Sequence, residues 1–281
     1  MKKHLLILAL TFVGTLAALA AKPAQTDSVW IENKEVTYKK GAIDIHISLP
    51  QLDSKSATEK IVTSVNQDVI DVLTANCPVP YPTKVENIAD LRLHVDAVAQ
   101  ELNKRKEPNA KDPIPYQFFS SWSASGNNLL LSVLMKTYVF KGGAHGMTRG
   151  VYLNYNSQTG ERIDLQSYIV DTAKLMDMAA VYFCKERRLP ADVMQLNTGL
   201  FMQLSDLPMP KQLGFNTKGL VLYYDQYEIA PYSSGVITIT IPYKEIDHVM
   251  SKEISKAQLV SGGTREFNAN TKRVNTALWK R

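Results

Sequence analysis

The order of the apolar patterns along the chain constrains its fold more than any other feature. Apolar and polar residues alternate over residues 42–49, and this period of two predicts a half-buried strand. Residues 56–75 and 88–102 instead carry apolar residues at helical spacing. Strand patterns return at 116–124, 128–140 and 148–156. Adjacent runs of strands with inserted helices predict an α+β fold with antiparallel sheets built from hairpins, rather than a parallel βαβ sheet.

Proline residues and changes in composition mark the ends of these segments. A first strand is expected at 29–38, and Pro50 is expected to end the second, because proline has no N–H to donate to a ladder. A further helix is then predicted at 172–189 and a short one at 243–250, with strands at 214–215, 220–224 and 236–241. Residues 251–281 are polar and basic, so we expect a polar tail that is partly disordered.

The N-terminus has the organisation of a secretory signal peptide. Lys2 and Lys3 precede an apolar stretch, and Ala18-Leu19-Ala20 supplies a cleavage site of small residues. We therefore expect residues 1–20 to be removed and the mature protein to be periplasmic or secreted. Since no later apolar run approaches the roughly 18 residues of a membrane span, no membrane insertion is expected after cleavage.

Charge and cysteine content narrow the function classes. The chain of 281 residues has a formal net charge of +5, which predicted cleavage would reduce to about +3, too little to indicate a nucleic-acid partner. Cys77 and Cys184 form an even pair, and an exported protein meets an oxidising compartment. A Cys77–Cys184 disulfide and two buried free thiols are both compatible with the sequence.

A glycine-rich turn, Gly142-Gly143-Ala144-His145-Gly146, is the first candidate site. Its glycines predict a tight turn with positive φ angles between two strands, and they would let backbone N–H groups converge on an anion or a carbonyl. His145 could serve there as acid, base or hydrogen-bond donor. The alternative is a plain strand connection in which His145 bonds to the backbone.

A tyrosine-rich loop is the second candidate site. Tyr227, Glu228 and Tyr232 lie in a short segment between two predicted strands. Tyrosines on such a loop suit stacking on sugars or contact with a protein. The alternative is a packed corner whose phenols bond to the backbone.

Motifs for metal binding and for common catalytic machinery are missing from the sequence. It contains no H-E-x-x-H, C-x-x-C or G-x-S-x-G, so neither a metal nor a cofactor is expected. An enzyme remains an alternative rather than the first expectation.

The two candidate segments also support a family resemblance. The Gly142–Gly146 turn followed by Asn154-x-x-x-x-Thr159-Gly160, and the Tyr227–Tyr232 loop followed by Gly235 and Ile241-Pro242-Tyr243, together resemble the extracytoplasmic domain pair of RsiV-type anti-sigma factors. The first half also resembles the N-terminal region of the peptidoglycan deacetylase PdaC. The resemblance implies two α+β sub-domains, at 21–140 and 141–250.

The resemblance also implies a lysozyme-like partner, as in the RsiV relatives. The basic charge of this chain argues against that partner, since lysozyme is itself basic. Because the resemblance covers only the N-terminal region of the PdaC relatives, we do not expect their deacetylase chemistry in this chain.

Three functions therefore compete. The first is a non-enzymatic envelope protein that binds a cell-wall glycan or an envelope protein through Gly142, Gly143, His145, Gly146, Tyr227, Glu228 and Tyr232. The second is a wall-glycan or peptide hydrolase, in which His145 pairs with the carboxylate of Glu228 or Asp225. The third is a structural or assembly protein. The first predicts that the two loops lie close together at one end of the sheet. The oligomeric state is left open.

Overall fold

The computed structural model describes residues 29–54, 59–76, 84–104, 114–127, 129–190, 198–259, 265–268 and 274–275. Ten strands are β1 (Val29–Lys40), β2 (Ile43–Ser54), β3 (Tyr116–Gly126), β4 (Leu130–Phe140), β5 (Met147–Asn156), β6 (Gln212–Phe215), β7 (Gly219–Tyr224), β8 (Ile237–Pro242), β9 (Arg265–Asn268) and β10 (Val274–Asn275). Four α-helices are α1 (Glu59–Ala75), α2 (Ile88–Lys104), α3 (Thr172–Arg187) and α4 (Lys252–Leu259). The α+β prediction is confirmed.

A large sheet holds seven of these strands, in the order β10-β1-β2-β3-β4-β5, with β9 paired to β3. The predicted antiparallel pairing holds for every pair except β2–β3, which is parallel over His46–Phe119 and the three preceding pairs. The exception has a physical cause. Because α1 and α2 cross over between β2 and β3, the chain returns to the same end of the sheet before β3 begins.

The two crossover helices cover one face of this sheet. Ile45 and Phe118 point to that face and line a small internal space with Leu91 and Val95 of α2. The fully buried Val65 and Val69 of α1 belong to the same core. Alternate residues of β1–β3 point away from the helices, and some of them, such as His46, are exposed.

Pro50 does not end β2, so this expectation is wrong. The strand continues to Ser54, and Pro50 lies opposite Asn33 of β1. The N–H groups of Ser48 and Leu52 point away from β1, to Ser120 Oγ at 3.0 Å and Asn66 Oδ1 at 2.8 Å. The missing N–H of Pro50 falls on that same side, where no strand ladder needs it.

A second, three-stranded sheet has the order β6-β7-β8 and packs against α3. Leu222, Tyr224 and Ile239 are fully buried in the core that it shares with α3. A smaller cluster joins the two sheets, since Leu134 and Tyr152 of the large sheet pack on Val221 and Tyr223 of β7.

Side-chain oxygens close the outer edge of β5. The N–H groups of Thr148, Gly150 and Tyr152 donate to Gln226 Oε1 at 2.6 Å, Asp225 Oδ1 at 2.8 Å and Gln212 Oε1 at 2.9 Å, respectively. These three acceptors replace a neighbouring strand, so β5 presents no row of unpaired amides at this edge. They also join the second sheet to the first.

The predicted division after residue 140 falls at the end of β4, directly before the turn to β5, and both strands belong to the large sheet. Within the predicted polar tail, α4 forms over Lys252–Leu259, and β9 and β10 add to the large sheet. These segments of the tail have regular structure, since β9 and β10 pair with β3 and β1.

Two sequence-based expectations fall partly or wholly outside the described residues. Cys184 is buried on α3, whereas Cys77 is not among the described residues, so both a disulfide between them and two free thiols stay predictions. The signal peptide at 1–20 also lies outside them. Among the helices of the described residues, none is long and apolar enough to cross a membrane.

Candidate functional site

The glycine-rich turn connects β4 to β5 at one end of the large sheet. Gly142 and Gly143 have φ angles of 83° and 97°, a region that favours glycine over other residues. Gly146 is needed for a different reason, since a Cβ there would overlap the ring of Tyr138. The turn thus brings the backbone beside His145 against an aromatic ring of β4.

The tyrosine-rich loop begins where β7 ends. Two of the side chains that accept N–H groups from the outer edge of β5 belong to this loop and hold it in place. Asp225 and Gln226 accept the N–H groups of Gly150 and Thr148. The next residue, Tyr227, has a φ of 66°, which is unusual for a residue with a side chain. Glu228 Oε2 accepts the Asp225 N–H at 2.8 Å, so Glu228 closes this turn from within.

The structure brings the two loops together in a cluster of three rings, which we call the ring cluster: His145, Tyr227 and Tyr232. The imidazole of His145 stacks on the Tyr232 ring, with centroids 3.8 Å apart and planes 20° apart. The Tyr227 hydroxyl lies 3.1 Å from His145 Nε2, and its ring lies 5.8 Å from that of Tyr232. His145 is exposed, Tyr227 is 45% exposed, and Tyr232 is half-buried.

The contacts of His145 test whether it pairs with a carboxylate, as the hydrolase hypothesis requires. Its Nε2 contacts the Tyr227 hydroxyl, and its Nδ1 lies 3.2 Å from the Gly146 carbonyl oxygen. The hydrolase hypothesis needs a carboxylate within hydrogen-bond reach of His145. Glu228 and Asp225 instead bond to backbone N–H groups, so the His145–carboxylate pairing expected for a hydrolase is wrong.

Burial shifts the pKa values of two groups that lie beneath the ring cluster. Burial raises the pKa of the Asp225 carboxyl above its usual value, with a smaller opposing effect from its hydrogen bond to Gly150 N–H. Burial also raises the pKa of the Tyr223 phenol, which lies below the loop. For both groups, burial disfavours the charged form.

Sequence reasoning missed three residues that shape this region. Gln226 accepts the Thr148 N–H, and Tyr138 packs under Gly146. Phe201 is 57% exposed beside the loop, where its backbone N–H donates to Ile229 O. Tyr138 and Gly146 are near in sequence, and aromatic packing over a glycine could have been considered. Gln226 and Phe201 depend on contacts distant in sequence, and no local pattern indicates them.

The ring nitrogens, phenols and amides of the site suit hydrogen bonding and stacking rather than metal binding. Among the described residues, no group of three or more His, Cys, Asp or Glu side chains could hold a metal ion.

Comparisons with known proteins divide the chain into two segments. Residues 36–148 match the family model described as deacetylase PdaC, and residues 190–244 match that of a protein of unknown function, DUF3298. The resemblance of the first half to PdaC is thereby confirmed. His145 lies in the first segment, whereas Tyr227 and Tyr232 lie in the second. The ring cluster therefore forms where the two matched segments meet.

Two solved structures are similar in fold. A member of the DUF3298 family from Bacteroides fragilis NCTC 9343 is 18% identical, with a TM-score of 0.55, covering 81% of this chain and 96% of that chain. A DUF3298 family protein from Pseudomonas aeruginosa PAO1 is 16% identical, with a TM-score of 0.54, covering 80% and 95%. No curated protein matches this chain. The two-part α+β architecture is thus shared with DUF3298 structures, while the RsiV resemblance stays a prediction.

Proposed function

We propose that this protein is an exported cell-envelope protein that binds a cell-wall glycan through the ring cluster. The ring cluster, in which His145 stacks on the half-buried Tyr232 and contacts the hydroxyl of the exposed Tyr227, is the observation that carries the proposal. The C–H face of a sugar ring packs well on an aromatic face, and phenol and imidazole groups at the edge can bond its hydroxyls.

The construction of the site supports binding rather than a packing role for these rings. Tyr223 and Tyr224, in the same stretch of chain, are buried in the core, whereas Tyr227 is 45% exposed. The backbone of Tyr227 also adopts a positive φ, a conformation that costs about 1 kcal/mol or more for a residue with a side chain. Unfavourable local geometry that presents an exposed ring favours a functional reading.

The match of residues 36–148 to the PdaC model supports an envelope location, as does the signal-peptide pattern at residues 1–20. An exported protein meets wall polymers directly. The modest net charge is compatible with a largely neutral sugar surface as ligand.

A sedimentation experiment tests the proposal. The protein from residue 21 onward is incubated with purified peptidoglycan sacculi, and the bound fraction is measured in the pellet. We expect Tyr232→Ala and His145→Ala to weaken binding roughly tenfold, because each removes a stacking partner. Tyr182→Ala on α3, which removes a tyrosine outside the ring cluster, should bind like the wild type.

Wild-type protein that stays in the supernatant would contradict a wall ligand and would favour an envelope protein as partner. Release of soluble wall fragments that depends on His145 would favour the hydrolase. Unchanged binding by both ring-cluster variants would show that the wall contacts another surface.

A further inference from the structure

The open face of the large sheet carries a line of side chains that the ring cluster does not include. Strand register places Thr37 opposite His46, His46 opposite Phe119, and Phe119 opposite Tyr138. Directly paired residues point to the same face of a sheet. We call these four residues the sheet-face row; it crosses β1–β4 over about 14 Å at the usual strand separation.

The sheet-face row lies in a hollow on the side of the sheet opposite α1 and α2. Thr37 and His46 are exposed, and Phe119 and Tyr138 are half-buried. A cavity of about 630 Å³ lies over the β1–β3 end of the row and is lined by its first three members. This space is large enough for a ligand of several rings.

The sheet-face row ends beside the ring cluster. The rings of Phe119 and Tyr138 are nearly parallel, with centroids 5.9 Å apart and planes 9° apart. Tyr138 packs against the backbone of Gly146, and His145 is the adjacent residue. The Tyr138 end of the sheet-face row therefore lies next to the ring cluster, with the backbone of Gly146 between them.

We infer that this whole surface binds an unbranched, uncharged pyranose chain, which crosses the strands from the ring cluster to Thr37. The inference rests on the proposed function and extends it from a single sugar contact to a polymer site. Rings spaced along a line offer successive stacking faces, and Thr37 and His46 offer hydrogen bonds to hydroxyls. A polymer with repeated rings fits this arrangement, whereas a single sugar would use only one end.

The charges and the sheet edge argue against two other ligand classes. Lys39 lies in the wall of the cavity, but its Nζ pairs with Asp44 at 2.7 Å. The charge of this lysine is therefore already paired, which argues against a nucleic acid with its phosphate backbone as the ligand. A peptide that adds a strand needs free edge amides, yet the N–H groups of Thr148, Gly150 and Tyr152 are all taken.

Oligosaccharide length provides the test. Isothermal titration calorimetry compares a β-1,4-linked N-acetylglucosamine disaccharide with the corresponding hexasaccharide. We expect the hexasaccharide to bind at least about tenfold more tightly. His46→Ala and Phe119→Ala should each lower hexasaccharide affinity several-fold, up to roughly tenfold, and leave disaccharide affinity unchanged, whereas Tyr232→Ala should weaken both.

Controls separate this inference from the proposed function. Ser121→Ala changes the same face of β3 outside the row and should bind both sugars like the wild type, and His46 is exposed, so its variant should fold normally. Equal affinity for both lengths overturns the inference, as does unchanged hexasaccharide binding by His46→Ala and Phe119→Ala. A wild type that sediments with sacculi but does not bind the hexasaccharide overturns it too. Tyr232→Ala that still binds sacculi contradicts the proposed function instead.

Discussion

Two strands of the large sheet, β2 and β5, use side chains from different parts of the chain to bond backbone groups. Each has backbone groups that no neighbouring strand pairs, and each bonds them to side chains. Beyond its short pairing with β3, β2 uses Ser120 of β3 and Asn66 of α1. Strand β5 uses Asp225, Gln226 and Gln212 from the second sheet and its loop.

The difference explains why the candidate site lies beside β5. The side chains that bond the backbone of β2 lie on a strand and a helix, not on a loop. The β5 partners include a loop, and the residue directly after Gln226 is Tyr227, which belongs to the ring cluster. The bonds that close the edge of β5 therefore also hold the ring cluster in position. At this edge, stability and binding depend on the same short segment.

The largest expected effect comes from a steric block at the β5 edge. A Cβ at Gly150 would overlap the ring of Tyr223, which is 1% exposed. Gly150→Ala should lower the free energy of unfolding by about 3 kcal/mol, because the buried ring cannot move without separating the two sheets. Urea denaturation measures this.

Gly199→Ala is the matched control for Gly150→Ala. Gly199 has a φ of 77° and open space around its Cα, so alanine there meets only backbone strain, about 1 kcal/mol. Equal losses in the two variants would show that the sheets separate easily at Gly150.

Removing one partner at each strand compares the two edges directly. Asn66 both donates to Leu52 O and accepts from Leu52 N–H, each at 2.8 Å. Asn66→Leu should therefore cost about 2 kcal/mol, since two backbone groups lose their partner. Gln212→Leu leaves only the Tyr152 N–H unpaired and should cost about 1 kcal/mol. If chemical denaturation shows that Gln212→Leu loses more stability than Asn66→Leu, the bond at the β5 edge contributes more to stability than those at β2.

The pH dependence of stability should differ between the edges because only β5 uses a carboxylate. Burial raises the folded-state pKa of Asp225, so the stability linked to its protonated form is complete below the unfolded pKa. It is lost as pH rises through the folded pKa. Asp225→Asn keeps an oxygen for Gly150 N–H but cannot ionise.

Unfolding of wild type and Asp225→Asn from about pH 3 to about pH 7 measures this effect. The variant should gain stability relative to the wild type as pH rises. A constant difference between the two proteins would show that the Asp225 carboxylate is well solvated in the folded state.

Local patterns were enough to predict most elements of the fold. The alternation before Pro50 predicts β2, and helical spacing predicts α1 and α2. The continuation of β2 through Pro50 could not be predicted, because it depends on Ser120 and Asn66 reaching the side where proline lacks its N–H. The parallel pairing of β2 with β3 likewise follows from where the crossover returns, which has no local pattern.

The site divides in the same way. The glycine spacing predicts the turn around His145, and the tyrosine content marks the loop around Tyr232. Residue types alone could not assign Glu228 to the inside of its own turn, since a carboxylate suits a ligand and a backbone N–H equally. Nor could they indicate Gln226, whose role exists only because no strand pairs with the outer edge of β5.

The smallest expected effect on stability separates folding from binding at Tyr227. Its φ of 66° is unfavourable for tyrosine and readily adopted by glycine. Tyr227→Gly should therefore change the free energy of unfolding by less than about 1 kcal/mol, because relieved strain offsets the lost ring contacts and the greater freedom of the unfolded chain. Sacculus binding should nevertheless weaken, since Tyr227 no longer contacts His145. Tyr227→Asn also tolerates positive φ, lacks the ring and should bind as weakly as Tyr227→Gly. Strong destabilisation by both variants would instead mean that Tyr227 serves the fold, and that the β5 edge, like β2, is purely structural.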